Sequence, residues 1–509
     1  MTLRIKVLLV ALTLSTLPQL GLGQEAMEAA LPENPGRMIS LQEVVNATLD
    51  NNMAYRIARI NPEIANEYIT SAEAAFDSEL FASGRLSQSE QNLTFTQTTG
   101  TSSDSRFLNA GVRKRLVYGT TLTAQTNLDR RDSNAGVNTS NLSQSADLSL
   151  SLRQPLLSGF GRDANMASVE TARAGYNSSV EQFREASRQL LANTERAYWI
   201  AARWQDQLVL DESNLEVAES LLAETKERRR VGLVTNIEVL QAEAARAQFL
   251  ERIILDKREL GDALDSLFTF MGVLMQADPV EPSLGFSVQP LPDSFDYNPE
   301  FAGVWQSALA EDPILASQEA VIAQREWERI NAKSNLKPNL DLVLSGAFNG
   351  VDNDTTSNAV ENALARDGHA WAVGLEFSMP WGRRGEKADL LISESRIRQE
   401  NLRFQELKQS LYQAVRRSWR NLESVRQSYE AAKLTVSLQE ATFEREMSKY
   451  EGGLSVFRNV TEAQRDLDQA RIRLLQSKYA LLSSEIEIAR LTGQLLERHG
   501  LTPSDVPTE

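Results

Sequence analysis

One stretch of this sequence occurs twice, and each copy lies between proline-free runs too long for a compact domain. Val231-Gly232-Leu233-Val234-Thr235-Asn236-Ile237-Glu238-Val239-Leu240-Gln241-Ala242 returns as Glu451-Gly452-Gly453-Leu454-Ser455-Val456-Phe457-Arg458-Asn459-Val460-Thr461-Glu462-Ala463. Gly232 aligns with Gly453, Val239 with Val460 and Ala242 with Ala463. Each copy reads as a short Gly-bearing turn between two helices. No proline falls between Gly161 and Val231 or between Gly385 and Gly452. At 1.5 Å per residue, each run reaches roughly 100 Å as a helix. The returning helices, 235–275 and 456–492, reach only ~60 Å, and entering helices at 40–75 and 301–334 add ~50 Å if stacked on them. The sum matches the long helices. A cylinder wall follows, in which continuous helices alternate with stacked ones.

Two repeats are expected, 24–275 and 301–495, joined by a Pro-rich link at 276–300, with a tail at 496–509. Each runs entering helix, strand region (79–157 and 339–380), long helix (162–230 and 386–451), Gly turn and returning helix. Asp50-Asn51-Asn52-Met53 and Glu311-Asp312-Pro313-Ile314 fall at comparable points of the two entering helices. Seven-residue spacing of Leu422, Tyr429, Val436, Phe443 and Tyr450 predicts left-handed supercoiling. Val460, Leu467, Leu474, Leu481 and Ile488 share that spacing, as do Leu208, Leu215 and Leu222.

Arg4 and Lys6 before the apolar run Val7 to Leu14, with the small-residue stretch at Gly21 to Gly23, read as a secretory signal peptide over 1–23. The chain has no cysteine and only two histidines, His369 and His499, to which no site role is assigned. Thiol and disulfide chemistry are excluded, and zinc and haem sites are disfavoured. A net charge of -16 argues against nucleic acid as a partner. No cofactor, metal site or catalytic residue is expected. No second long apolar run exists, so an exported chain of this kind enters a membrane only as strands.

The strand regions alternate with period two. Leu148, Leu150 and Leu152 alternate with Ser149, Ser151 and Arg153; Leu340, Leu342 and Leu344 with Asp341, Val343 and Ser345. Trp371, Val373, Leu375, Phe377 and Met379 alternate with Ala372, Gly374, Glu376 and Ser378. Lipid outside and water inside account for such a pattern. An ordinary half-buried sheet has the same signature. Pro155 and Pro380 end the pairing as strand-exit turns, since proline lacks the donor. An extra strand pair, 108–127, turns near Tyr118-Gly119 and has no counterpart in the second half. The Ser/Thr/Asn-rich segments 92–105, 129–145 and 350–358 read as loops. Four strands, or six with the extra pair, are too few to enclose water, so the barrel is shared between copies. Three copies of four give about twelve strands under ordinary cyclic symmetry.

This combination resembles the TolC family of outer-membrane efflux and secretion channels. It rests on Arg230 to Val234 with Glu238 to Ala242, on Lys449-Tyr450 with Gly453 and Val460 to Ala463, and on the two proline exits. The resemblance implies a mixed α and β homotrimer, with a shared 12-stranded transmembrane β-barrel in the outer membrane and a long periplasmic coiled-coil tunnel. It implies a passive duct of a tripartite efflux or type I secretion system. A periplasmic adaptor (membrane fusion) protein would dock on the tips at Gly232, Leu233, Gly453 and Leu454, and an inner-membrane transporter would act through that adaptor. Glu238 matches an acidic residue that ties the first tip to the second hairpin, and Tyr450 matches its aromatic partner. The expected arginine partner falls on Ser455; Arg458 and Arg230 are the candidates to replace it. Two acidic constriction positions fall on Asn459 and Glu462, leaving one carboxylate ring. Three Glu462 side chains around one axis would attract cations. The rival reading is a non-membrane periplasmic coiled-coil scaffold.

Overall fold

The computed structural model describes residues 37–90, 102–134, 142–273, 286–295, 297–366 and 368–500. The expected signal peptide, the first part of the Pro-rich link (276–285) and the end of the tail lie outside them. In chain order the elements are β1 (Arg37–Ile39), α1 (Leu41–Asn51), α2 (Met53–Glu73), β2 (Ser78–Glu90), β3 (Ser102–Arg115), β4 (Thr121–Ser133), β5 (Leu142–Pro155), α3 (Arg162–Arg230) and α4 (Asn236–Met271). Then follow β6 (Phe286–Val288), α5 (Phe301–Glu311), α6 (Pro313–Asn335), β7 (Asn339–Asp352), α7 (Thr356–Leu364), β8 (Gly368–Ser378), α8 (Arg384–Glu451), α9 (Phe457–Thr492) and α10 (Gln494–Arg498).

The two long helices contain 69 and 68 residues. Each is therefore about 100 Å long. The entering helices are broken rather than continuous. Asn52 leaves the helical region at ψ 121 and caps α2 by accepting from the Tyr55 amide at 3.1 Å. Asp312, at ψ 113, caps α6 through the Leu315 amide at 2.8 Å. Each break recruits a side-chain oxygen for an orphan amide of the next helix. At Asp312 the following Pro313 sits in the first turn, where its missing N–H costs nothing.

The largest hydrophobic cluster lies midway along α3. There β1 and β6 pair in parallel. Fully buried Tyr198 of α3 donates to the Ile39 carbonyl at 2.9 Å and accepts from the Gln289 amide at 2.9 Å. Leu264, Leu267, Phe268 and Val288 pack around it. On the other side, Val415, Leu422 and Tyr429 of α8 pack against Leu481 and Ile488 of α9 and against α5. The heptad positions of α8 and α9 are buried or half-buried, as their spacing predicts. In α3 Leu222 is buried as predicted, but much of the buried line beside the heptad is polar. Gln207, Asp211, Asn214, Ala218, Leu221 and Thr225 are buried, while Leu208 and Leu215 are half-buried. Polar partners on α4 and α9 draw the polar side chains inward.

β2, β3, β4, β5, β7 and β8 form one antiparallel sheet in that order. The chain thus contributes six strands, not the four behind a twelve-stranded ring. The strands run further into the polar segments than expected: 102–105, 129–133, 142–145 and 350–352 are paired strand, and Thr356–Leu364 is a helix. Backbone ladders need no apolar face, so polar composition alone misplaces the strand ends. Pro155 closes β5, and β8 stops at Ser378, just before Pro380. Positive φ at Gly159, Gly161 and Gly382 then turns the chain into the long helices.

Candidate functional site

The duplicated segments are the two free ends of the helical hairpins, and they fold alike. At the first, the Leu233 amide bonds to the Arg228 carbonyl at 2.9 Å and the Gly232 amide to the Arg229 carbonyl at 2.9 Å. At the second, the Leu454 amide bonds to the Lys449 carbonyl at 2.7 Å and the Gly453 amide to the Tyr450 carbonyl at 3.0 Å. Both are Schellman ends, with glycine left-handed at φ +83 and +73. The residue after that glycine often packs back on its own helix. Here Leu233 is 74% exposed and Leu454 83% exposed. Each tip therefore presents one leucine outward.

Just above the tips the two hairpins of one chain meet. Leu221, Leu222, Val239 and Ala242 of the first pack with Tyr450, Phe457 and Val460 of the second. Arg228 completes the junction. Its guanidinium lies 4.4 Å from the centre of the Tyr450 ring and donates to the Tyr450 carbonyl at 3.1 Å and the Glu451 carbonyl at 3.4 Å. Glu224, one turn earlier, holds it at 2.6 Å. Arg228 therefore satisfies carbonyls at the C-terminus of α8, where the helix dipole favours a cation. Neither arginine proposed from sequence makes this link: Arg230 pairs with Glu227, and Arg458 is exposed on α9. Ser455, at the arginine position of the family pattern, turns back to Glu446 at 3.0 Å. Lys449 beside Glu446, with Ser455, holds that carboxyl below its usual range.

Glu238 is half-buried beside this junction, and its Oε2 has no hydrogen-bond partner among the described residues; the same holds for the Tyr450 hydroxyl. The Glu238–Tyr450 tie is not made among the described residues of one protomer. Asn459 donates to Ser455 at 3.2 Å. Glu462 is exposed on α9, 3.9 Å from Arg465. It lies along a groove between α4 and α9 that Gln241, Arg252, Arg458 and Asp468 also line.

A second tie lies higher in the wall. Arg252 of α4 reaches Asp468 of α9 at 2.5 Å and Asp211 of α3 at 3.2 Å. Asn214 donates to Asp468 at 2.7 Å and Gln207 to Asp211 at 3.0 Å. Asp256 completes the group. Burial first, then the adjacent Asp211 carboxyl, lifts Asp256 to about 7. Burial also raises Asp468, with Arg252 opposing the shift. Two like carboxyls cannot both ionise cheaply at close range.

Among the described residues, no helix is long and apolar enough to cross a membrane. The family pattern of outer membrane efflux proteins matches residues 44–273 and 304–494. A relative, the outer membrane efflux protein BepC of Brucella suis biovar 1 (strain 1330), is 24% identical over 349 residues, covering 68% of this chain and 72% of that protein. The Campylobacter jejuni CmeC outer membrane channel superposes at a TM-score of 0.63 with 15% identity, covering 91% of this chain and 90% of that one. The open-state Neisseria gonorrhoeae MtrE outer membrane channel does so at 0.64 with 18% identity, covering 89% and 88%. With both repeats inside the family pattern and the TolC-like architecture reproduced, this chain belongs to the outer membrane efflux protein family: it is a channel component, not an enzyme.

Proposed function

We propose that three copies of this chain assemble into a passive export duct, with the sheet in the outer membrane and the long helices forming a periplasmic tunnel closed at the tips. One observation carries the reading. A two-faced sheet whose edges, β2 and β8, are unpaired among the described residues sits about 100 Å from twin hairpin ends. Unpaired edges and an apolar outer face are tolerable only once copies close the ring in lipid. Trp371 within β8 and Trp381 just past its end are both exposed, as aromatic residues at the borders of such an apolar band are.

In this reading the tips are the gate. Arg228 holds the two hairpins of each protomer together. The unpaired Glu238 and Tyr450 oxygens are available to a neighbouring copy. Leu233 and Leu454 offer an adaptor six apolar contacts around the ring, and an inner-membrane pump engages through that adaptor. Opening is a shift of the hairpins biased by contacts that differ between the two states. Glu462 and Asn459 form the constriction. Arg465 beside Glu462 weakens the negative field of that ring without removing it.

Selectivity in planar bilayers tests the assignment. The purified assembly should prefer cations, and Glu462→Ala should reduce that preference at least twofold. An unchanged reversal potential would remove Glu462 from the constriction.

A further inference from the structure

The hairpin β3–β4 has no counterpart in the second repeat, yet it is not an appendage. It sits inside the sheet, between β2 and β5, paired in unbroken register on both sides. Ser78 faces Lys114 at one end of the β2–β3 ladder and Glu90 faces Ser102 at the other. The two-faced pattern passes through it without a slip. Leu80 and Leu86 on β2, Leu108 and Val112 on β3, Leu122 and Leu128 on β4, and Leu148 and Leu150 on β5 share one face by register. The opposite face carries cross-strand polar pairs: Glu79 with Arg113 at 3.3 Å, Asn109 with Asn127 at 2.5 Å and, further round, Arg153 with Asp341 at 2.8 Å. One register slip would have reversed the faces.

The hairpin is also fixed to the helical body. Its turn places Gly119 at φ +91, where an added Cβ would stand 2.4 Å from the Gly159 carbonyl oxygen. Arg115 donates to buried Asn165 near the start of α3 at 2.7 Å, and Asn165 in turn donates to the Gly159 carbonyl at 2.8 Å. The hairpin turn therefore rests on the junction that carries β5 into α3, level with its neighbours. Adding two antiparallel strands leaves β2 and β8 antiparallel to each other, so the edges remain able to pair between copies.

We infer that three copies of this chain, joined by pairing β8 of one copy to β2 of the next, close an eighteen-stranded barrel rather than a twelve-stranded one. The inference rests on the trimeric reading above and names what that trimer can pass. With strands about 4.8 Å apart and tilted about 40°, a twelve-stranded ring has a backbone diameter of ~24 Å and an eighteen-stranded ring ~36 Å. The larger ring falls in the range that leaves an open aqueous channel. The cargo class is correspondingly wide: solutes that a twelve-stranded exit of the same tilt would stop. Size selection then falls to the tips and not to the membrane exit.

The test is electron cryomicroscopy of the full-length assembly in lipid nanodiscs, with disulfide trapping as an independent readout. Eighteen strands around a three-fold axis are expected. Because the chain has no cysteine, introduced pairs report cleanly. Ala82→Cys with Ala110→Cys should cross-link within one chain, and Ala82→Cys with Leu148→Cys, level with it on β5, should not. Three copies around twelve strands, with the hairpin outside the ring and the second pair cross-linked, would overturn the inference and leave the duct intact. A copy number other than three would overturn the trimeric reading itself.

Discussion

At the residue scale, the junction between hairpins depends on a side chain that sequence comparison had no means to single out. Arg228 binds carbonyl oxygens, and every residue supplies a carbonyl. Its role became visible only when α3 and the end of α8 were side by side. Glu238 and Tyr450 were named through the family resemblance; among the described residues of one protomer, Glu238 Oε2 and the Tyr450 hydroxyl have no hydrogen-bond partner. The Asp211, Asp256, Asp468 and Arg252 cluster escaped for a related reason. Its members come from three helices, α3 and α4 of the first hairpin and the distant α9 of the second. Asp256 yields a sharp expectation. Its folded-state value near 7 lies above the ordinary 3.8, so the folded chain holds a proton that the unfolded chain has released between those pH values. Stability therefore falls as pH rises from about 4 to 7. Thermal unfolding from pH 5 to 8 should show this decline in the wild type. Asp256→Asn should flatten it and unfold at higher temperature at pH 8.

At the element scale, helix lengths, the Gly ends and the heptads of α8 and α9 were readable from spacing. The breaks at Asn52 and Asp312 were not. Both sites were seen as equivalent points of the two repeats, but the caps that make them breaks depend on a side chain meeting an amide three residues on. Asp312→Ala should cost about 1 kcal/mol through the lost cap, read as a lower unfolding midpoint. Asp312→Asn should recover most of it, because a neutral amide oxygen still accepts. The α3 seam shows the limit of apolar periodicity. Of the heptad Leu208, Leu215 and Leu222, only Leu222 is fully buried, and the buried line beside the first two runs through Gln207, Asp211 and Asn214. Satisfied polar groups can occupy a seam that apolar spacing alone does not mark. The Schellman ends give a prediction for the adaptor. Replacing both Leu233 and Leu454 by Asp should abolish capture of the adaptor while leaving the assembly and its thermal midpoint unchanged. Retained capture would place docking elsewhere.

At the scale of the whole molecule, the duplication, the elongated form and the two-faced strands followed from the sequence. The strand number stayed open between four and six, because the inserted pair has no twin in the second repeat to show whether it joins the sheet; the structure gives six. The central claim is that this family member forms a duct held shut at its tips. Single-channel recording of the purified assembly in planar bilayers tests it most directly, comparing wild type with Arg228→Ala and with the exposed Arg229→Ala as control. Loss of a cation–π contact and a charged hydrogen bond weakens each junction by about 1–3 kcal/mol. The account predicts small conductance for wild type and the control, and a several-fold larger conductance for Arg228→Ala. Equal conductance in all three would contradict it.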